Sequence, residues 1–86
     1  MKFNPDTLPS GATNPHRWVA VGKDYRYAIA SYIWRKRGDQ VQSVKEPYFR
    51  AYSYPGGVSI DGSVEYSSLK AAIVACEVHY GNQQKR

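Results

Sequence analysis

Apolar and polar residues alternate with a period of two through the middle of this chain, and a helical period replaces it only near the C-terminus. Residues 25–35 are dense in aromatic and β-branched side chains and contain neither Gly nor Pro, which predicts a strand. Its alternation sets Tyr25, Tyr27, Ile29, Ser31 and Ile33 on one side and Arg26, Ala28, Ala30, Tyr32 and Trp34 on the other. Order is expected to begin at Trp18, with residues 18–21 forming a shorter strand that turns through Gly22-Lys23-Asp24. Residues 35–46 are mostly polar, so they read as a mobile hairpin loop with a basic head. A third strand over 48–54 stops at Pro55-Gly56-Gly57, where Pro presets one position of a type II turn and Gly supplies the positive φ of the next. Residues 58–60 and 63–65 flank Asp61-Gly62, a dipeptide suited to a tight type I′ hairpin between short edge strands.

The last periodic segment predicts a helix over 69–80, with Ser67 or Ser68 capping its free amides and Gly81 placed to end it. Leu69, Ala72, Ile73, Cys76, His79 and Tyr80 share one arc, and Lys70, Val74 and Glu77 lie opposite. The expected fold class is α+β: an antiparallel sheet of three or four strands with one C-terminal helix packed on one face. Residues 1–16, with Pro5, Pro9, Pro15 and Gly11, form an extended or disordered arm; 17–81 make a single domain; 82–86 form a frayed tail. Burying Tyr27, Ile29 and Ile33 together with Phe49, Ala51 and Ser53 under the helix sends Arg26, Tyr32, Trp34, Tyr48, Arg50, Tyr52 and Tyr54 to the uncovered side.

Composition narrows what such a face can meet. Twelve Lys and Arg against seven Asp and Glu give a net charge of +5 over 86 residues, which attracts polyanions and acidic partners and excludes an acidic nucleic-acid mimic. The lone Cys76 cannot form an internal disulfide and fits a reducing, cytoplasmic setting. No stretch approaches the ~20 apolar residues of a membrane span, and the N-terminal residues lack an apolar leader.

The aromatic and arginine face is the richest chemical feature. Exposed rings offer bases a stacking platform and Arg neutralises phosphates, which suits single-stranded nucleic acid. A sheet can also enter a duplex major groove, with Arg50 or Arg26 reading guanine edges while Arg35, Lys36 and Arg37 hold the backbone. Set against this, tyrosines also serve strand propensity and cross-strand pairing, and a charge run is often a solvated face. Arg37-Gly38-Asp39 spells a cell-adhesion tripeptide, a pattern short enough to arise by chance. Cys76 and His79 are three apart on one helical face, but only His16 stands as a third metal ligand, and no third residue orients them as a nucleophile pair. No phosphate-cradling glycine loop and no acid–base carboxylate pair occurs, so neither catalysis nor a cofactor is expected. The helix's broad apolar arc, reaching Ala71, Ala75 and Val78, makes a homodimer a further expectation.

The strands leading into Tyr66-Ser67-Ser68-Leu69-Lys70-Ala71-Ala72 resemble small accessory proteins encoded by bacteriophages, a likeness that spans residues 18–81. That resemblance implies an inhibitor or adaptor docking on a host protein, a defence or nucleic-acid enzyme, as the alternative to DNA or RNA binding. The same layout is similar to AP2-type DNA-binding domains, which insert a helix-backed three-stranded sheet into the major groove. This chain lacks that family's Trp-Gly turn and has a longer connection after Trp34.

Overall fold

The computed structural model describes residues 1–84. The fold is α+β: a five-stranded antiparallel sheet in the order β1-β2-β3-β4-β5, followed by one C-terminal helix. The strands are β1 (Asn4–Thr7), β2 (Thr13–Val21), β3 (Arg26–Arg37), β4 (Gln40–Ser53) and β5 (Val58–Ser63), and the helix is α1 (Leu69–Gln84). Each strand pairs with its sequence neighbour, so every connection is short and local.

The register settles which side chains share a face. Directly opposed residues point the same way, and Trp18 opposes Ile29, Ala20 opposes Tyr27, and Ile29 opposes Ala51. These meet Ala72 and Cys76 of α1, giving a core of Tyr27, Ile29, Ala51, Ala72 and Cys76. Phe3, Trp18, Phe49, Leu69, Ile73 and Tyr80 pack around it. Small residues at the centre of the helical arc let its axis approach the strands closely, and Ile29 and Cys76 are both fully buried. Ser68 caps α1: its Oγ accepts a hydrogen bond from the Ala71 amide at 3.0 Å, an interaction worth about 1 kcal/mol to a helix.

Several boundaries depart from the sequence reading. The N-terminal segment enters the sheet as β1, and β2 begins five residues before Trp18. Pro5 is tolerated there because β1 is an edge strand that need not donate along its open side. The expected loop over 35–46 is instead a continuation of the β3–β4 hairpin, closed at Gly38-Asp39 between the paired Arg37 and Gln40. Gly38 has φ 59°, the conformation a two-residue type II′ turn needs at its first central position.

Asp61-Gly62 forms no hairpin, because β5 runs straight through it. A type I′ turn demands positive φ at both central residues, and among the described residues only glycines have it. The chain continues along β4, where Tyr66 and Phe49 exchange two main-chain hydrogen bonds of 2.8 Å. Gly81 does not end the helix; its φ is not positive, and the helical turns continue over 82–84 of the expected frayed tail. The last two positions of that tail lie outside the described residues. Ile33, expected in the core, is 43 % exposed because it lies beyond the end of the helical layer, where β3 continues as part of a two-stranded ribbon.

Candidate functional site

The sheet face opposite α1 carries the aromatic and basic set. On β3 this face begins as Arg26, Ala28, Ala30 and Tyr32; on β4 it is Tyr48, Arg50, Tyr52 and Tyr54, the last just past the strand end. Tyr52 opposes Ala28, Arg50 opposes Ala30 and Tyr48 opposes Tyr32. The two alanines are the reason the larger side chains lie across the sheet: with only methyl groups beneath them, the tyrosines fold down, and Ala28 is 1 % exposed although no helix covers it. The tyrosines themselves are half-buried.

Rings and guanidinium groups interleave. The Tyr32 and Tyr48 rings stack with centroids 5.3 Å apart and planes 19° from parallel. The Tyr32 and Tyr52 hydroxyls are 3.0 Å apart, and burial together with this hydrogen bond pushes the Tyr32 phenol up to about 12. Arg50 lies 5.8 Å from the Tyr48 centroid and 5.9 Å from that of Tyr32. At the other end, Arg26 lies 5.5 Å from the Tyr54 centroid, and Arg17 donates to the Tyr54 hydroxyl at 3.0 Å.

Arg35 reaches this face by a route that alternation forbids. Past Tyr32 the strands lose register: two steps along β3, to Trp34, are matched by five along β4, from Tyr48 back to Ser43. Such an irregularity changes which side each following residue faces. Arg35 therefore sits 4.6 Å over the Tyr48 ring. Trp34, expected beside the tyrosines, joins no ring pair among the described residues; it is 55 % exposed and lines a shallow cleft with His16, Ser31, Tyr32 and Ile33. Lys36 and Arg37 are exposed on the ribbon, opposite Val41 and Gln40.

Two residues of the site escaped the sequence reading. Arg17 carries no role in the sequence pattern beyond opening the domain, yet it precedes inward-facing Trp18, and extending that strand by one residue brings it to the outer face. There it opposes Ala30 and pairs with Asp6 at 3.2 Å. Glu65 is the second. Its carboxylate accepts two hydrogen bonds from Arg35, at 2.8 and 2.9 Å, and one from Arg50 at 3.2 Å. The Arg35 bonds chiefly, and the one from Arg50, hold the Glu65 carboxyl down to about 2, so it remains ionised at ordinary pH. Arg50 Nε is buried and has no hydrogen-bond partner among the described residues. No sequence motif marks Glu65, since it reaches the arginines from 30 and 15 residues away.

The remaining chemical candidates belong to the helix side. His79 Nδ1 is 2.7 Å from the Tyr27 hydroxyl. Among the described residues no group of three or more His, Cys, Asp or Glu is placed to hold a metal ion. Cys76 is fully buried, and burial, followed by the charges of Asp61 and Glu77, pushes its thiol up to about 12. Folding thus favours the neutral thiol, a contribution complete below the ordinary thiol range and lost as pH rises toward 12. At pH 8 the native protein is expected to leave an aromatic disulfide reagent unreacted, with one equivalent consumed once urea unfolds the chain. Rapid stoichiometric reaction without urea would contradict this burial.

No helix among the described residues is long and apolar enough to cross a membrane. Comparison with family models, curated proteins and solved structures gives no match.

Proposed function

We propose that this chain is a small non-enzymatic binding module of the cytoplasm that holds nucleic acid on the sheet face opposite α1, with the β3–β4 ribbon as a basic extension. One observation carries the reading: Tyr32, Tyr48, Tyr52 and Tyr54 interleave with Arg17, Arg26, Arg35 and Arg50 on the single face that the helix leaves open. Arginines serve phosphates, and flat rings and guanidinium planes serve unstacked bases. Lys36 and Arg37 extend the positive charge along the ribbon. The overall charge of +5 favours encounter with a polyanion.

Labelled single-stranded and duplex oligonucleotides of one sequence, titrated across salt, test this. Binding should weaken steeply, with log K falling by about 0.7 to 0.9 per log unit of salt for each phosphate engaged. A flat salt dependence, or no binding to either strand form at low salt, would overturn the reading.

A second reading rests on Glu65. What Arg35 and Arg50 hold is a carboxylate, the group an acidic protein surface presents, and Tyr, Trp and Arg are the enriched anchors of protein interfaces. On that reading the chain is a phage-type inhibitor or adaptor of a host protein. It predicts a partner retained after nuclease treatment and no oligonucleotide affinity.

A further inference from the structure

We propose that Arg35 and Arg50 form a seat for a backbone phosphate, and that Glu65 is its internal place-holder, displaced when a phosphodiester arrives. This rests on the nucleic-acid reading above and adds to it a named anion position and a competing group within the chain.

The geometry is that of an anion clamp. Arg35 meets Glu65 in a bidentate fork, Nη1 to one carboxylate oxygen at 2.9 Å and Nη2 to the other at 2.8 Å. Arg50 Nη2 reaches an oxygen already bound by Arg35, at 3.2 Å. Two cations thus converge on one anion, leaving the cluster with net positive charge. Forked guanidinium geometry suits a phosphate as well as a carboxylate.

The clamp is braced and also accessible. Arg35 lies over the Tyr48 ring, and Arg50 lies beside the stacked Tyr48 and Tyr32 rings, nearly equidistant from both, so each cation has contacts that do not involve Glu65. The Arg35, Arg50 and Glu65 side chains retain 37, 33 and 30 % exposure, enough for an incoming anion to reach them. Glu65 lies between β5 and α1, outside any regular element, while the next residue is fastened to Phe49 by its backbone. Rotation of one side chain therefore vacates the seat without moving the sheet. Because the carboxyl stays ionised down to about pH 2, protonation does not release it under ordinary conditions; exchange for another anion does.

Glu65→Gln is the decisive variant: it is isosteric, removes the charge and lies outside the core. Its oligonucleotide affinity at fixed low salt should rise by about tenfold over the unmodified protein, the scale of one charge-assisted hydrogen-bond exchange. Asp39→Asn, the same charge change at the ribbon tip, should raise it no more than about twofold. In an Arg35→Ala/Arg50→Ala background, Glu65→Gln should give no more than the Asp39 control. Equal or weaker binding by Glu65→Gln, or a gain matched by Asp39→Asn, would overturn the place-holder. If neither form binds any oligonucleotide, the nucleic-acid reading fails, and inorganic phosphate added to Glu65→Gln still decides the seat. Saturable shifts of the Arg35 and Arg50 side-chain N–H resonances support it; their absence overturns it.

Discussion

Ile29→Ala should cost about 2 to 5 kcal/mol of unfolding free energy, a large share of the roughly 5 to 15 kcal/mol expected of a whole domain. Ile29 has no exposed surface and stands on the central strand β3, between Trp18 on β2 and Ala51 on β4. Its neighbours across the layer boundary are Ala72 and Cys76, short side chains that cannot extend to fill a void. The core has few other large members to share the loss. Ile33→Ala, four residues further along β3 at a 43 % exposed position, should change stability by less than about 1 kcal/mol. Urea unfolding followed by circular dichroism measures both. Equal losses at the two positions would mean that the helix covers more of β3 than the register allows.

Joint replacement of Arg50 and Tyr52 by alanine should weaken oligonucleotide binding by about a hundredfold, summing one phosphate-directed guanidinium and one stacking ring. Both side chains stand opposite α1, over Ala30 and Ala28, so the core loses no contact with the helix. Tyr52 also supplies the hydroxyl that meets Tyr32, and Arg50 lies against the same ring, so the two losses are coupled and the single variants should not add simply. The slope of binding against salt should fall by about one phosphate's worth. A thermal melt near that of the unmodified protein, with affinity lost, supports the face as a binding surface. Unchanged affinity would remove Arg50 and Tyr52 from it.

How much of this was legible beforehand differs from element to element. Tyr27, Ile29, Phe49 and Ala51 could be assigned to the helix side, and Tyr32, Arg50 and Tyr52 to the other, because a period of two admits only two choices and one of them buries an arginine. The helical arc was legible from the 3.6-residue period, which sets the small residues Ala72 and Cys76 at the centre of one face. The ribbon over 35–46 was not, because both its faces meet water and no apolar alternation is left to mark it as strand. Asp61-Gly62 misled because turn propensity is local, whereas the pairing of Tyr66 with Phe49 that carries the chain onward is not. Gly81 misled likewise: a glycine permits a helix end without imposing one.

The order of side chains along each strand, and so the separation of a packed face from a tyrosine and arginine face, is a property of the sequence alone, because backbone pleating acts between neighbours. Three-dimensional structure decided the rest of the candidate site. The register break after Tyr32 carries Arg35 over Tyr48, and pairing between distant segments brings Glu65 to both arginines. Both depend on how separate strands align, and strand alignment is set by the packing of the whole sheet and helix rather than by any local run of residues.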